Sequence, residues 1–327
     1  MTLILDTSAT TPVVTVGTDR ARDIEKAARR LTPVAGGRVD SPEWVAAARD
    51  GWADLPSALR RPLAAFRRDS GPTGSLLLRG LPVDEAALPA TPAAGGSAQH
   101  SADVSAAVLV MIAAGLGDPA AFRPEKGGAL VQDVVPVPGQ EDFQGNAGSV
   151  LLTFHTENAF HPHLPDFVML LCLRADHERV AGLRTACVRQ ALPLLSPDGR
   201  DALFSREFLT AAPPSFGPAA GGTEPHAVLT GAPDDPDVRV DFAATRPLTG
   251  RAGQALTELQ QIFDLTAQTA YLEPGDLALV DNRVTVHGRT AFRPRYDGQD
   301  RWLRRGFVLT DLRRSRAVRP SDGYVVD

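Results

Sequence analysis

The first seventy residues place apolar side chains at helical spacing among charged ones. Residues 19 to 70 are rich in Ala, Arg and Glu, as in DIEKAARRL and SPEWVAAARDGWADL. Ser41 followed by Pro42 is typical of a helix start. The pattern predicts two or three helices. A further helix, bounded by Ser and Gly, is predicted over SADVSAAVLVMIAAGLG.

Apolar runs between turn residues begin at GSLLLRGLPV and dominate from residue 128 onward. Runs of this length and alternation predict β-strands. The predicted strands after residue 128 are ALVQDVVPV, SVLLTFHTENAF, DFVMLLCLRA, LRTACVRQAL, HAVLTGA, VRVDFAA, GDLALVDN and RWLRRGFVLTDL. One amphipathic helix, predicted from Arg251 to Tyr271, interrupts them.

This order of elements predicts a mainly β fold with added α-helices, a jelly roll or barrel packed against a helical layer. A chain of 327 residues suits one elaborated domain. We expect a single domain over 1–327, with a helical N-terminal layer at about 19–70. A jelly-roll core with a helical insertion would span about 74–317, followed by a tail at 318–327. The Pro- and Gly-rich stretches 89–101 and 211–223 are expected to form loops that close over a site.

Composition narrows the class of protein. The net charge of −5 gives no basic surface for nucleic acid. The N-terminus MTLILDTSATT lacks the features of a signal peptide, and the apolar helix candidate Ala106 to Leu116 is too short to span a bilayer. Cys172 and Cys187 are expected to be buried, reduced thiols. We therefore predict a cytoplasmic protein with no membrane or nucleic-acid partner, of unspecified oligomeric state.

The triplet His155-Thr156-Glu157 ends the predicted strand SVLLTF. Residues i and i+2 of a strand point to the same face, so an imidazole and a carboxylate could bind one metal there. His287, which follows the predicted strand GDLALVDN, is the best third ligand. Two imidazoles and one carboxylate leave positions open on an octahedral ion, as non-haem iron(II) oxygenases require.

A cosubstrate that carries a carboxylate needs a cation beside the metal. Arg301 lies 14 residues after His287 and opens the next predicted strand. Its guanidinium fork matches a carboxylate with two parallel hydrogen bonds. Arg301 is therefore the candidate for the distal carboxylate of 2-oxoglutarate.

Two long blocks of this chain resemble the signature blocks of the clavaminate synthase family, which also contains the viomycin arginine β-hydroxylase and related asparagine and lysine hydroxylases. The blocks are FHTENAFHPHLPDFVMLLCLRADHE and GDLALVDNRVTVHGRTAFRPRYDGQDRWLRRGFVLTDLRRSRA. The likeness runs from about Gly128 to Ala317 and is weaker before residue 70. It implies a double-stranded β-helix (cupin-like) core, Fe(II), 2-oxoglutarate, O₂ and a small amino-acid-like substrate.

Carried over by position, the resemblance implies iron ligands at His155, Glu157 and His287, and a 2-oxoglutarate anchor at Arg301. Arg305 matches an arginine that binds the substrate carboxylate.

Three further assignments rest on the same resemblance. Asp241 falls where relatives place acids against a guanidinium or amine, although this chain offers one acid where the viomycin enzyme has two. Glu125 matches a glutamine at the substrate α-amino group. The family's 2-oxoglutarate-binding Thr has no clean counterpart: Leu183 lies nearest, and Thr185 shares its strand face.

The predicted reaction is hydroxylation of an unactivated C–H bond in a free amino acid or an amino-acid-derived intermediate of antibiotic biosynthesis. A basic amino acid is the leading predicted substrate, and another polar amino acid is the second candidate. Three alternatives stay open: a carrier-tethered substrate, a jelly roll that binds a small molecule or metal without turnover, and a zinc hydrolase. Desaturation and ring closure are further outcomes known in the family.

Overall fold

The computed structural model describes residues 9–217 and 221–327. Residues 1–8, which include most of the N-terminal segment considered above, lie outside the described residues, as do residues 218–220 of the second predicted closing loop. Within the described ranges, no helix is both long enough and apolar enough to cross a membrane.

The described elements comprise seven α-helices and sixteen strands. The helices are α1 (Thr18–Leu31), α2 (Pro42–Asp54), α3 (Ser57–Arg68), α4 (Val104–Leu116), α5 (Val188–Ala191), α6 (Pro197–Phe204) and α7 (Gly250–Thr266). Strands β1 to β8 are Val13–Thr15, Ser75–Arg79, Asp118–Phe122, Gln132–Val134, Leu152–His155, Phe167–Arg174, Leu183–Cys187 and Phe208–Thr210. Strands β9 to β16 are Leu229–Ala232, Asp235–Val238, Thr245–Pro247, Gln268–Ala270, Leu277–Asp281, Thr285–Arg289, Trp302–Leu309 and Val325–Val326.

The larger sheet has the strand order β1-β2-β13-β6-β15-β3-β16, and β4 also pairs with β15. Helices α1 to α4 cover one face of it and share one apolar core with its strands. The helical layer predicted over 19–70 is present as α1 to α3, but it also includes α4. Nearly every side chain of α4 is buried, because its sequence is apolar on all sides and it packs between the other helices and the sheet.

The smaller sheet has the order β12-β7-β14-β5. Helices α5 to α7 pack on its outer face through a second core. The inner faces of the two sheets share a third core, to which β6, β13 and β15 of the larger sheet and Leu183 of the smaller sheet contribute. The fold is thus a mixed α/β fold with extensive β-sheets, and the inner faces of both sheets are available to carry a site.

Three local predictions differ from the structure. The helix predicted to Tyr271 ends at Thr266, because the next residues pair with the edge of β7 as strand β12. The strand predicted over VRVDFAA is regular only up to Val238, and beyond it the chain runs along β5 through a single pair between His155 and Asp241. The segment predicted as a tail adds the short strand β16 to the larger sheet.

The loop predicted over 89–101 is held to the core at several points. Thr91 bonds to the backbone of Gly298 and Asp300, and Ser97 Oγ donates to Asp133 at 2.5 Å. Gln99 N–H donates to Val131 O at 2.9 Å. These contacts favour a fixed wall over a closing lid. Cys172 and Cys187 are buried and free, as expected.

Candidate active site

His155, Glu157 and His287 come together between the two sheets. One ligand atom from each side chain lies within 4.8 Å of the others. In the antiparallel pairing of β5 and β14, His287 lies directly opposite His155, and their ring centroids are 4.3 Å apart. His287 Nε2 lies 3.4 Å from Glu157 Oε2. The register of two strands therefore joins residues that are 132 positions apart in the sequence.

The i, i+2 spacing predicted that Glu157 lies on the same strand as His155, but Glu157 joins the cluster from a turn. Strand β5 ends at His155, so Glu157 lies in the turn beyond it. Its backbone N–H donates to Asn282 Oδ1 at 2.7 Å, and Asn282 Nδ2 donates back to Glu157 O at 3.2 Å and to Pro165 O at 2.9 Å. The buried amide of Asn282, next after β13, thus fixes the turn. Sequence reasoning missed this residue, although it belongs to the quoted block GDLALVDN.

The donor chemistry of the three residues fits a divalent iron ion. His155 Nδ1 lies 3.0 Å from Thr153 O, and because a carbonyl only accepts, this nitrogen carries the proton and Nε2 keeps its lone pair for a metal. Burial, aided by the neighbouring His155, lowers the pKa of His287 and favours its neutral, ligating form. Two imidazoles and a carboxylate form the facial set that binds Fe(II) and leaves positions open.

Arg305 contacts the carboxylate of the cluster. Its Nη1 donates to Glu157 Oε1 at 3.0 Å, and it also bonds to Gln132 Oε1 and Glu125 Oε1. Burial would raise the pKa of Glu157, but the charge of Arg305 and contacts with His287 outweigh it and hold the pKa below its usual range. Arg305 lies on β15 and faces the interior, as its position in the strand predicted.

Glu125 is buried rather than solvated, with its side chain only 12% exposed. Its pKa is raised, mainly by burial and further by Glu157, against the opposing charge of Arg305. Glu125 Oε2 is buried and lacks a hydrogen-bond partner among the described residues. A buried acceptor without a partner is costly, so it is suited to a cationic ligand.

A cavity of about 130 Å³ opens in front of the cluster. Asp241 enters its wall because the chain pairs with His155 there. Asp241 Oδ1 accepts from Ala243 N–H at 2.8 Å, and no hydrogen bond to Oδ2 occurs among the described residues. Asn146 can be oriented so that its carbonyl oxygen accepts from Arg305 Nη1 at 2.7 Å. In that orientation its amide nitrogen is not used by Arg305 and can donate to another group. Sequence reasoning missed Asn146, which lies in the Gly-rich stretch QGNAGS without a distinguishing pattern.

Arg301 lies just before β15 and is 6% exposed. Burial lowers its pKa. In the part of the chain that the structure describes, its guanidinium makes no hydrogen bond or ion pair, and Phe292 packs 5.9 Å from it. The residues that line the 130 Å³ cavity do not include Arg301.

Thr185 lies on β7 directly opposite His287 and is 7% exposed. It borders a separate cavity together with Gln268 and Thr11. The described residues show no hydrogen bond between Thr185 and Arg301. The structure therefore brings Thr185 beside the cluster through its strand register, without a direct contact to the predicted 2-oxoglutarate anchor.

Comparison with known proteins agrees with this chemistry. Residues 197–307 match the model of the family "Taurine catabolism dioxygenase TauD, TfdA family". The L-asparagine oxygenase of Streptomyces coelicolor is 64% identical over 313 residues, covering 96% of this chain and 94% of that protein. Clavaminate synthase 2 of Streptomyces clavuligerus is 36% identical over 265 residues, covering 79% and 81% of the two chains.

Solved structures are similar as well. An asparagine oxygenase in complex with Fe(II), 2S,3S-3-hydroxyasparagine and succinate is 64% identical, covers 96% of this chain and 98% of its own, and superposes with a TM-score of 0.94. The oxygenase OrfP with Fe and alpha-ketoglutaric acid is 28% identical, covers 97% and 100%, and has a TM-score of 0.87. The chain belongs to the TauD/TfdA family of iron(II)- and 2-oxoglutarate-dependent dioxygenases, within its clavaminate synthase-like group of amino-acid hydroxylases.

Proposed function

We propose that this dioxygenase hydroxylates free L-asparagine at C3. The observation that carries the proposal is that Asp241, an anionic acceptor, and the amide of Asn146 both line one small cavity. A carboxamide needs one acceptor for its NH₂ group and one donor for its oxygen, and these two side chains supply both. The 64% identity to the Streptomyces coelicolor L-asparagine oxygenase supports the same substrate. This replaces the basic amino acid that led on sequence grounds.

Glu125 and Glu157 are assigned to the substrate amino group and the iron, which leaves Asp241 as the one further acid among the described residues that line this cavity, and this argues against a guanidinium or a long-chain amine. Such a cation would be best paired by two carboxylates, whereas Asp241 stands beside Phe242 and Ala243 and gives one oxygen to the backbone. An amide is neutral and needs no counter-charge. The side chain of the substrate is therefore matched by polarity and not by net charge.

The α-amino and α-carboxylate groups of the substrate would be held by Glu125 and Arg305. Glu125 Oε2 is a buried acceptor with no partner among the described residues, and Arg305, whose guanidinium is a planar fork of donors, bonds to the other oxygen of Glu125. A substrate tethered through its carboxyl group would lose the carboxylate partner of Arg305. This arrangement favours a free amino acid over a carrier-bound one.

His155, Glu157 and His287 would hold the iron. Arg301, with Thr185 on β7 of the smaller sheet, would hold the distal carboxylate of 2-oxoglutarate. Iron, 2-oxoglutarate and O₂ together supply the oxidising power to break an unactivated C–H bond. The chain itself contributes position: the contacts at both ends of asparagine would direct C3 toward the metal cluster. Phe160 and Phe216 line the same cavity and would exclude water. We propose that the two sheets form a double-stranded β-helix in a single domain, and that their inner faces and the adjoining turns carry all of these groups.

The test is a panel of free amino acids incubated with protein, Fe(II), 2-oxoglutarate and O₂. We expect L-asparagine to give the fastest succinate release and a product heavier by one oxygen, with the hydroxyl located at C3 by NMR. Arginine, lysine, aspartate and D-asparagine are the matched comparisons. A higher kcat/KM for arginine or lysine, or a product oxidised elsewhere than C3, would contradict the proposal.

A further inference from the structure

A second arginine, Arg289, shares the interior face of β14 with His287. The residue between them is Gly288, where a Cβ atom would lie 2.5 Å from Leu152 O on the neighbouring strand, so the close approach of β5 requires glycine. Since alternate residues of a strand face the same side, the side chain of Arg289 also enters the space between the sheets. It is 3% exposed.

The guanidinium of Arg289 is only partly satisfied. Nη2 donates to Val150 O at 2.9 Å, whereas Nε is buried and has no partner among the described residues. Phe292 packs 5.1 Å from its guanidinium carbon and 5.9 Å from that of Arg301. One aromatic ring therefore contacts both cations, which places the two guanidinium groups in the same part of the interior.

Neither cation has a counter-ion in the described ranges of the chain. Among the described residues, no carboxylate oxygen lies within 4.0 Å of a side-chain nitrogen of Arg289 or Arg301. Asp176 is the acid whose charge acts on Arg301, but its two oxygens accept from the backbone N–H groups of Val180 and Ala181, both at 3.0 Å. Two buried like charges without a partner are unfavourable, and an anion that enters between the sheets would relieve both.

We propose that Arg289 is a second cationic residue of the 2-oxoglutarate site, which acts with Arg301 to bind and select the distal carboxylate. The inference rests on the proposed role of Arg301. Arg301, which precedes β15 of the larger sheet, supplies the hydrogen-bonding fork, and Arg289 adds positive charge from β14 of the smaller sheet. The pocket then favours 2-oxo acids with a charged tail and discriminates against those whose tail is neutral.

A purely structural role makes a different prediction. If Arg289 served only to pack on Phe292 and to bond Val150, its replacement would lower stability and affect every ligand equally. A role in carboxylate recognition changes the affinity for 2-oxoglutarate and leaves that for 2-oxobutyrate, which lacks the distal carboxylate, nearly unchanged. The ratio of the two dissociation constants separates these roles.

The experiment measures Kd by titration calorimetry, without oxygen, on protein loaded with Mn(II) in place of iron. We expect Arg289→Gln to weaken 2-oxoglutarate binding about 10- to 100-fold, the usual loss when a charged hydrogen-bonding group is removed. The Kd of 2-oxobutyrate should stay within about twofold, and Arg289→Lys should recover much of the loss because it keeps the charge. If Arg289→Gln does not fold, Arg289→Met, which retains the apolar contact with Phe292, takes its place.

Arg283→Gln is the matched control. Arg283 also lies over a phenylalanine, Phe167 at 4.9 Å, but Asp281 neutralises it at 2.7 Å. Its replacement should leave both Kd values unchanged. Equal effects of Arg289→Gln on the two oxo acids, or no effect on either, would overturn the inference. If Arg301→Gln weakens 2-oxoglutarate while Arg289→Gln does not, only the inference fails; if neither weakens it, the proposed anchor at Arg301 fails too.

Discussion

Arg305 Nη1 lies 3.0 Å from Glu157 Oε1, so a buried guanidinium from the larger sheet neutralises the carboxylate that Glu157 contributes to the cluster with His155 and His287. Both side chains are less than a tenth exposed. The contact keeps Glu157 ionised and leaves its second oxygen, Oε2, beside His287. Arg305 therefore supports the cluster even before a substrate arrives.

Replacing Arg305 by Gln should make metal binding more sensitive to acid. The pKa of Glu157 is held low in the folded protein, so the carboxylate stays charged as the pH falls below its usual range. Without the positive charge, burial would raise that pKa, and protonation would compete with the metal at a higher pH. We expect the low-pH midpoint of Mn(II) binding to rise by about one unit or more.

The control for this experiment is Arg304→Lys. Arg304 is the neighbouring buried arginine on β15, but it faces the helical layer and pairs with Asp103. Its substitution should lower stability and leave the midpoint of metal binding in place. An unchanged midpoint in Arg305→Gln would contradict the role assigned to the ion pair.

His287→Ala should lower Fe(II) affinity by more than about 100-fold, because it removes a ligand. This is a larger change than the loss of about 10- to 100-fold that is typical when a residue hydrogen-bonded to a ligand is replaced. Metal content after anaerobic loading and desalting measures it. His163→Ala is the comparison, since His163 lies in the turn after the cluster and bonds to His161 through its backbone. Equal metal content in the two variants would rule out the proposed iron ligands.

Asp241→Asn should change the choice of substrate. The new amide can donate a hydrogen bond where the carboxylate only accepts, so the wall should now favour the side-chain carboxylate of aspartate. We expect kcat/KM for asparagine to fall by about 30-fold and that for aspartate to rise. Competition between the two amino acids, with the products measured by mass spectrometry, gives the ratio of the two kcat/KM values directly. Asp201→Asn, an exposed change in the pair with Arg251, should leave the ratio unaltered.

Asp103→Ala should destabilise the helical layer by about 2 kcal/mol. Asp103 Oδ1 accepts from Ala106 N–H at 2.9 Å at the start of α4, and the carboxylate pairs with the buried Arg304. The estimate lies below that for a fully buried pair, since the Asp103 side chain is 40% exposed. Urea unfolding at neutral pH measures the loss, and Asp19→Ala, whose side chain is 95% exposed, should show none.

The same substitution predicts a pH dependence. Burial opposes ionisation of Asp103, but Arg304 outweighs it and lowers the pKa of the folded state. A depressed pKa contributes stability that is fully present above the unfolded value of about 3.9 and is lost as the pH falls through the folded value. The difference between wild type and Asp103→Ala should therefore shrink in acid, and a constant difference would contradict the pairing.

Periodicity and continuous apolar runs were sufficient to locate the helical layer and most strands, because both patterns are visible along a short stretch of chain. The family, the cofactors and the type of reaction predicted from the two blocks are confirmed by the comparisons. The individual roles of the residues stay predictions, as do the single domain and the cytoplasmic location. These residues are the iron ligands His155, Glu157 and His287, together with Arg301, Thr185, Arg305, Asp241 and Glu125.

The features of the site that could not be predicted from the sequence depend on contacts between distant segments. No local pattern shows that Asn282 fixes the turn of Glu157, that Glu125 is buried, or that Asn146 approaches Arg305. Arg289 had a usable signal, the spacing of two from His287, but in a chain whose basic residues are nearly all arginine it did not stand out.

Strand β15 presents Arg304 to the helices and Arg305 to the metal cluster from consecutive positions. The strand therefore links the two halves of the fold: its backbone pairs with β3, β4 and β6, and Arg304 pairs with Asp103 at the start of α4. A shortened protein that begins after α3 would keep every residue assigned to chemistry. It would still lose the packing of α1, α2 and α3 against α4 and the larger sheet, which contains β15. Engineering the specificity of this enzyme should accordingly leave its helical half intact.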